Sequence, residues 1–297
     1  MKNLRILLIT IIATLISCSK NDDVNNLEDG IRVKTYAINA DEYNLVYNAK
    51  NLLTDYESNT ENNQVKYNAD NNIIENGNTT YTYNSQGRMS TITILNSRGT
   101  RESDVVYIND GKTVQINSIY TPNVGVTGTS QTTVVYNSNN KVDSILEYNP
   151  IYYNKYYKIE FAFDDKDNII QQRTSGSVDG ETFTTTETVS YIYDDKLNPY
   201  YNTLTKTGTT SNINLISITG SRTLGNQIGY QALYYYSKNN VITINQRFSS
   251  GDSQVTQNEY AYNEGNYPIA SERTVSYTTG TDSDTYTTYY NWTYEIY

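Results

Sequence analysis

Aromatic residues two positions apart recur along the chain, and an apolar residue usually returns six positions after the second aromatic. The clearest copy is Tyr81-Thr82-Tyr83-Asn84, followed by Gly87 and Met89. Aromatics spaced by two share one face of a β-strand, and Asn with a nearby Gly favours a tight turn. Each copy therefore predicts one β-hairpin whose tight turn follows the aromatic pair. Nine copies begin near residues 45, 65, 81, 105, 134, 161, 191, 234 and 260.

Nine hairpins predict up to about eighteen strands, and open twisted sheets rarely exceed roughly ten strands without curling. Helical periodicity is not evident after the N-terminal apolar segment. The sequence therefore predicts an all-β fold, a large antiparallel β-meander of repeated hairpins curled into a barrel-like shell. If the hairpins pair in order, all tight turns lie on one edge of the sheet. The longer connections at 120–131, 148–157, 174–185 and 205–214 are then expected on the other edge.

A barrel inserted in a membrane is the alternative for so many strands. It requires outward apolar bands about ten residues long with aromatic girdles. The last strand, with Tyr290, Trp292, Tyr294 and Ile296, does alternate. Most other predicted strands place Thr, Asn, Ser or Lys where lipid would require Leu or Val. The pattern therefore favours a water-exposed sheet.

The N-terminal segment is typical of an exported protein. Lys2 and Arg5 precede the apolar run 6–16, and small Ser17 stands before Cys18. The run is too short for a transmembrane helix, which needs about twenty residues. It resembles the lipobox of bacterial lipoproteins, in which a peptidase cuts before a cysteine that then carries acyl chains. Residues 1–17 are thus expected to be a signal peptide, and Cys18 the lipid attachment site and sole membrane anchor.

The residues that follow Cys18 resemble an acidic export tag. Ser19, Lys20, Asn21, Asp22 and Asp23 match the segment that sends some Gram-negative lipoproteins to the cell surface. A solvated linker has the same composition. We expect residues 18–35 to be a lipidated, flexible acidic tether and residues 36–297 to be a single β-repeat domain. The expected location is the outer membrane at the cell surface, with its periplasmic face as the alternative.

Composition narrows the possible functions. The formal charge of −10 becomes −12 once residues 1–17 are removed with Lys2 and Arg5. Such an acidic chain is an unlikely partner for nucleic acid, whose binding depends on Lys and Arg. The chain has no His, and Cys18 is its one cysteine, so the commonest general base and the Ser-His and Cys-His nucleophile systems are excluded. We assign no catalytic residue, metal site or cofactor, and carboxylates, Tyr and Lys remain as groups that could catalyse a reaction.

Two clusters carry candidate binding chemistry. Asp164-Asp165-Lys166-Asp167-Asn168 has oxygen donors that could bind calcium, but it lacks the Gly and distal Glu of an EF-hand, so a solvated turn is the preferred interpretation. The second cluster consists of tyrosines in the longer connection at 148–157. It is a candidate aromatic platform for a sugar ring or a protein partner. Packing of strand tyrosines is its alternative. The candidate ligand-binding residues are Tyr152, Tyr153, Tyr156 and Tyr157.

The repeat resembles known families. Residues 81–89 resemble the tyrosine-aspartate (YD) repeats of rearrangement-hotspot (RHS) proteins, which build curled β-shells. Residues 191–199, 239–241 and 262–268 resemble segments of uncharacterised bacterial surface lipoproteins with a porin-like domain of unknown function. These resemblances imply an RHS-like or barrel-like shell and bring no catalytic residue with them.

These features together predict a lipid-anchored cell-envelope protein with a binding or scaffolding role. Its expected partners are the membrane, through the lipid anchor, and a glycan or an outer-membrane protein. Two alternatives remain open. One is a polysaccharide-acting enzyme that uses carboxylates or Tyr, and the other is an accessory subunit of an outer-membrane transporter.

Overall fold

The computed structural model describes residues 31–58, 62–149, 155–198, 201 and 237–296. Within these residues the chain forms eighteen strands and a short 3-10 turn at Asn109–Gly111. The strands are β1 Ile31–Ile38, β2 Asp41–Tyr47, β3 Leu53–Glu57, β4 Asn62–Tyr67, β5 Ile73–Asn76, β6 Thr79–Tyr83, β7 Met89–Asn96, β8 Gly99–Ile108, β9 Thr113–Pro122, β10 Gly128–Tyr136, β11 Val142–Asn149, β12 Lys155–Phe163, β13 Ile169–Ser177, β14 Thr184–Leu197, β15 Asn239–Phe248, β16 Ser253–Tyr262, β17 Pro268–Thr279 and β18 Asp282–Ile296.

The strands form a closed antiparallel barrel. Each strand pairs with the next one along the chain, and β18 pairs with β1 from Ile31 opposite Ile296 to Ile38 opposite Tyr290. The predicted all-β meander of repeated hairpins is therefore confirmed, and its curling is a full closure. The sheet begins at Ile31, earlier than the domain boundary expected at residue 36.

Within the described ranges, eight repeated hairpins account for most of the barrel. They run from β2/β3 to β16/β17, and β1 and β18 supply the remaining two strands. The copy predicted near residue 234 lies outside the described residues except for Ser237. Trp292 and Tyr294 place an aromatic pair on β18, so the last strand has the repeat pattern without a following hairpin partner.

The tight turns share one hydrogen-bond pattern. In the turn after β6, Asn84 Oδ1 accepts from the backbone N–H of Gln86 and of Arg88, both at 3.0 Å, and Gly87 has a φ of 72°. Asn and Asp tolerate this left-handed backbone better than other side chains, so they replace Gly in the sister turns. The equivalent acceptors and left-handed residues are Asn48 and Asn51, Asn68 and Asn71, Asn137 and Asn140, Asp164 and Asp167, and Asn263 and Asn266.

A ladder of tyrosine hydroxyls, which we call the tyrosine ladder, links successive hairpins near these turns. The second aromatic of a repeat donates to the backbone carbonyl that begins the return strand of the preceding hairpin, as Tyr83 does to Ile73 at 2.6 Å. Tyr67 donates to Leu53 at 2.7 Å in the same way. The bond thus satisfies a phenol in a half-buried position and fixes each hairpin against its predecessor. Tyr193 to Ile169 and Tyr294 to Pro268 follow the same rule, and Tyr47 extends the ladder to Val33 within β1.

Apolar side chains face the inside of the barrel. Strand pairing aligns Tyr81, Ile92 and Ser103 across β6, β7 and β8, and all three are buried. One continuous cluster of buried side chains covers the inner wall from β4 to β15. It consists of Val65, Ile73, Tyr81, Met89, Ile92, Val105, Val114, Ile116, Val134, Tyr136, Val142, Ile145, Ile159, Phe161, Ile169, Val189, Tyr191, Val241 and Ile244.

Polar side chains cover most of the outer wall. On β9, for example, Gln115 and Asn117 alternate with the buried Val114 and Ile116, and the exposed Ile119 and Thr121 follow on the outer side. Thr82, Thr91 and other hydroxyl residues hydrogen-bond to one another across the outer face. The outer positions of the described strands are therefore suited to water rather than to a continuous apolar band.

The two edges of the barrel differ as predicted wherever the structure describes their connections. The tight turns lie on one edge, which we call the turn edge, and the connections at 120–131, 148–157 and 174–185 belong to the opposite edge, the loop edge. Residues 205–214 were expected on the loop edge and lie outside the described residues. The chain leaves β14 and enters β15 at the turn edge, where Leu197 pairs with Asn239.

Candidate functional site

The candidate tyrosines fall on different faces of one strand. Tyr156 and Tyr157 are consecutive residues of β12, so their side chains point to opposite sides of the sheet. Tyr156 pairs with Tyr148 on the outer wall, and the two rings stack at 4.4 Å. Tyr157 pairs with the buried Glu147 on the inner wall. Tyr152 and Tyr153 lie outside the described residues, so the proposed four-tyrosine platform stays a prediction.

The neighbouring loop between β13 and β14 is organised by one carboxylate. Asp179 Oδ1 accepts from Ser177 Oγ at 2.7 Å and from the backbone N–H of Glu181 and Thr182, both at 2.9 Å. These hydrogen bonds lower the pKa of Asp179 to about 2. Gly180 has a φ of 79°, and a Cβ there would lie 3.0 Å from the Tyr156 ring. Gly180 therefore allows the loop to pack on Tyr156.

An ion-pair group continues the same outer face of β12. Glu160 accepts from Lys158 Nζ at 2.8 Å and from Arg173 Nη2 at 2.8 Å. The two cations, chiefly the hydrogen bond from Lys158, lower the pKa of Glu160. Together with stacked Tyr148 and Tyr156, these side chains form a strip of rings and charges that runs down from the loop edge.

The Asp164 turn uses its carboxylates in protein contacts. Asp164 Oδ1 caps the turn, and Asp164 Oδ2 accepts from Asn168 Nδ2 at 2.9 Å. Asp167 forms an ion pair with Lys141. Among the described residues, no group of three or more metal-ligating Asp, Glu, His or Cys side chains comes together. These contacts agree with the preferred interpretation of this segment as a turn.

A buried polar group on the inner wall, which we call the inner polar group, was not found from the sequence. It covers four consecutive strands toward the loop edge. Glu187 is only 2% exposed and accepts a hydrogen bond from Gln246 Nε2. Register places Thr174 beside Glu187, and Gln172 beside Val189 on the same face. The inner polar group comprises Gln172, Thr174, Glu187, Gln246 and Thr256.

Three atoms on the uncharged members of the inner polar group have no hydrogen-bond partner in the protein. They are Gln172 Nε2, Thr174 Oγ1 and Thr256 Oγ1. Gln172 is 1% exposed, so its amide cannot be satisfied by bulk water. Buried polar groups of this kind normally take ordered water or a polar ligand as their partner. The unsatisfied groups are the Gln172 amide, which can donate, and two threonine hydroxyls, which can donate or accept.

A simple signal would have located the inner polar group. Counting back by twos from the aromatic pair of β14 gives Tyr193, Tyr191, Val189 and Glu187, all on one face. The same count on β10 passes from Tyr136 to Thr132. The inner wall therefore changes from aromatic at the turn edge to polar toward the loop edge.

A hydrogen-bonded network fixes the sheet where the chain leaves β14 and re-enters at β15. Asp194 Oδ1 accepts from the backbone N–H of Asn240 at 3.1 Å, and Asp194 Oδ2 accepts from the Tyr262 hydroxyl. Burial, reinforced by Asp194, raises the pKa of Tyr262. Asn239 Oδ1 accepts from Asn168 Nδ2 at 3.0 Å, which ties β15 to the turn after β12. The network is thus a structural clamp at the turn edge.

The closed antiparallel barrel of eighteen strands defines the class of this fold. The chain is similar to the crystal structure of a porin-like protein from Bacteroides vulgatus ATCC 8482, with 14% identity, a TM-score of 0.41, and coverage of 88% of this chain and 98% of that one. It is also similar to a porin-like protein from Bacteroides uniformis ATCC 8492, with 15% identity, a TM-score of 0.43, and coverage of 89% and 96%. The sequence matches no protein-family model and no curated protein.

The described residues contain no helix with the length and the apolar character needed to cross a bilayer.

Proposed function

We propose that this chain is a lipid-anchored protein of the outer membrane with a binding or scaffolding role, held by Cys18. The observation that carries the proposal is the position of the barrel ends. β1 begins at Ile31 and β18 ends at Ile296, paired with each other at the turn edge. A tether from Cys18 therefore reaches the barrel at the turn edge. The loop edge, with its irregular connections, then faces away from the membrane, where loops on a rigid scaffold commonly bind partners.

The two walls of the barrel support the same proposal. The outer wall of the described strands presents Thr, Asn, Gln and charged side chains with exposed apolar residues such as Val106, Ile119 and Ile192 between them, a mixture that favours water over lipid. The inner wall is covered by buried apolar side chains, whereas a water-filled channel has a polar, solvated interior. A barrel of this kind stands in water beside the membrane. The roughly thirteen residues from Cys18 to residue 30 span at most about 45 Å when extended, which sets the reach of the tether.

The lipid anchor is tested with the Cys18→Ala variant of the full-length protein, whose partition into the detergent phase is measured. Loss of the acylated cysteine should give an unprocessed or soluble species, because acyl chains provide the membrane affinity. Ser19→Ala is the matched control and should leave lipidation intact. A Cys18→Ala protein that still partitions with detergent after removal of the signal peptide would contradict the anchor.

The surface location is tested separately. Replacing Lys20, Asp22 and Asp23 with Ala should keep lipidation but reduce cleavage by protease added to intact cells. Equal cleavage before and after the change would count against export by residues 19–23. It would leave the periplasmic face as the location.

The binding role is tested by a glycan-array screen of the soluble form from Asn25 onward. If a glycan binds, the double variant Tyr152→Ala and Tyr156→Ala should weaken binding several-fold, because stacking on an aromatic ring contributes about 1 kcal/mol. A normally folded double variant that binds unchanged would remove these tyrosines from the site.

A further inference from the structure

The first half of β18 extends beyond the end of its neighbour β1. The last residue pair between the two strands joins Ile38 to Tyr290, and β1 then turns into β2. Above that point, residues 282–288 of β18 pair only with β17, from Thr279 opposite Asp282 to Arg273 opposite Thr288. At about 3.4 Å per residue, this leaves an unpaired strand edge of roughly 24 Å. We call it the bare edge.

The direction of the backbone groups on the bare edge follows from the last bonds to β1. Asn39 N–H donates to Tyr289 O at 2.7 Å, and Tyr289 N–H donates to Asn39 Oδ1 at 3.0 Å. The backbone of Tyr289 therefore faces the β1 side. Because successive residues of an antiparallel strand face opposite sides, Thr287, Thr285 and Ser283 also present their N–H and C=O groups there. In the described structure, these groups have no strand beside them.

One of these N–H groups is shielded by a side chain. Thr285 N–H donates to Asp284 Oδ1 at 2.8 Å. Natural sheets protect exposed edges with charged residues, because bare N–H and C=O groups recruit other strands. Protection here is partial, because the carboxylate covers only Thr285. The bare edge keeps the N–H groups of Ser283 and Thr287 and three carbonyls available for pairing.

The surface around the bare edge is exposed and acidic. Tyr286 is 58% exposed, and Asp282 and Asp284 are exposed on the edge itself. Asp41 and Glu42, at the start of β2, lie directly below because Asp41 pairs with Ile38, which pairs with Tyr290. Both acidic residues are exposed. An incoming strand would therefore meet four carboxylates and an accessible aromatic ring.

We infer that the bare edge binds an extended, positively charged segment of a partner protein by strand addition. The backbone groups of residues 283, 285 and 287 supply the pairing, and Asp282, Asp284, Asp41 and Glu42 select Lys and Arg side chains. A second copy of this chain is a poorer occupant. Pairing two bare edges would bring the carboxylates of both copies together, and like charges on paired strands repel. The inference rests on the binding role proposed above but is independent of the lipid anchor.

The test uses the full mature protein in detergent and a fluorescent, end-capped peptide of alternating Lys and Thr as the probe. Fluorescence anisotropy should show binding of this peptide and none of a matched peptide of alternating Glu and Thr. Thr287→Pro removes the N–H on the bare side, and proline is tolerated there because β17 does not use that N–H. We expect it to weaken peptide binding about ten-fold, since backbone pairing is lost. Thr287→Val is the matched control because it keeps the N–H, and its affinity should be unchanged.

Two results with the Thr287→Pro variant would overturn the inference. Equal binding of the Lys/Thr peptide to the Thr287→Pro and Thr287→Val variants would show that strand pairing is not involved. Self-association of the protein that Thr287→Pro abolishes, without any peptide binding, would assign the bare edge to a second copy. If Thr287→Pro does not fold, the double variant Asp282→Lys and Asp284→Lys gives an independent test. It should weaken binding of the Lys/Thr peptide and remove most of its preference over the Glu/Thr peptide, because only Asp41 and Glu42 then remain as carboxylates. An unchanged preference would overturn the inference. Loss of the anchor through Cys18→Ala should leave all these affinities unchanged.

Discussion

The six Asx turns of the turn edge repeat one solution, whereas the described connections of the loop edge differ in length and in hydrogen bonding. Six tight turns share the same Asx bonds and a left-handed fourth residue, and the tyrosine ladder runs beside them. At the loop edge, Asn39 bonds across to β18, Gly77 closes a short turn on Gln64, and Asp179 caps a longer loop. We infer from this difference that the turn edge sets the register of the paired strands. The loop edge is then free to vary in sequence without loss of the fold.

Alkaline pH should damage the turn edge most. Burial raises the pKa of Tyr67 and of Tyr83 to about 12, from an ordinary value of 10. A group whose pKa is higher in the folded state stabilises the fold fully below its unfolded pKa, and this stability is lost as the pH rises through the folded value. We therefore expect unfolding between about pH 10 and pH 12. Tyrosinate absorbance and circular dichroism should change together. Tyrosinate formation at Tyr67 and Tyr83 with the β signal unchanged would contradict the structural role of the ladder.

Single substitutions in the ladder should separate ring packing from the hydroxyl bond. Tyr83→Ala removes both and should cost about 3 kcal/mol in the free energy of unfolding, as for other large aromatic truncations. Tyr83→Phe removes only the bond to Ile73 and should cost about 1 kcal/mol. Tyr286→Ala, at the loop edge, should stay within about 0.5 kcal/mol. Urea unfolding measures all three, and similar costs for Tyr83→Ala and Tyr286→Ala would remove the distinction between the edges.

Substitution of the left-handed residue in a tight turn should have a smaller effect on the free energy of unfolding. Gly87→Val should cost about 1–2 kcal/mol, because a side chain at a φ of 72° strains the backbone. A Cβ at this position contacts nothing within 4 Å, so crowding adds no cost. Gly87→Asn is the matched control, because Asn occupies this position in the sister turns, and it should cost less. Ser85→Ala should be close to neutral. Equal melting temperatures for Gly87→Val and Ser85→Ala would count against the Asx-turn assignment.

The smallest effect is expected at the loop between β9 and β10. Val124 and Val126 are 91% and 84% exposed there. Replacing both with Ser should change the free energy of unfolding by less than about 0.5 kcal/mol. Thermal melting of the double variant measures this, and a large destabilisation would mean that the loop edge contributes to the fold.

The sequence was sufficient to predict the strands and the turns because both depend on local patterns. In the copy at 81–89, for example, the aromatic pair Tyr81 and Tyr83 predicted a strand, and Asn84 with Gly87 predicted the tight turn after it. The structure has a hairpin there. Closure was harder to foresee, since the β1–β18 pairing joins residues more than 250 positions apart, such as Arg32 and Glu295. Only a barrel-like curl could be expected from the strand number.

The candidate site was less predictable for a physical reason. Tyr156 and Tyr157 were grouped as one surface, yet β12 begins at Lys155, and within a strand adjacent residues face opposite walls. Finding the inner polar group requires knowing which residues of a strand face inward, and composition does not tell this. Glu187 resembles any surface Glu until it is known to share a face with Tyr191. The bare edge depends on where β1 ends relative to β18, which no local pattern specifies.

The tyrosine ladder has a consequence for how such barrels evolve. Each hydroxyl connects a hairpin only to the one before it, as Tyr67 does to Leu53 and Tyr83 to Ile73. Duplication of one hairpin within the gene would therefore bring its own turn bonds and its own link to the previous unit. The barrel would gain two strands and a larger circumference while every local contact kept its form. We therefore expect related barrels of this architecture to differ in strand number by whole hairpins, that is, by multiples of two strands.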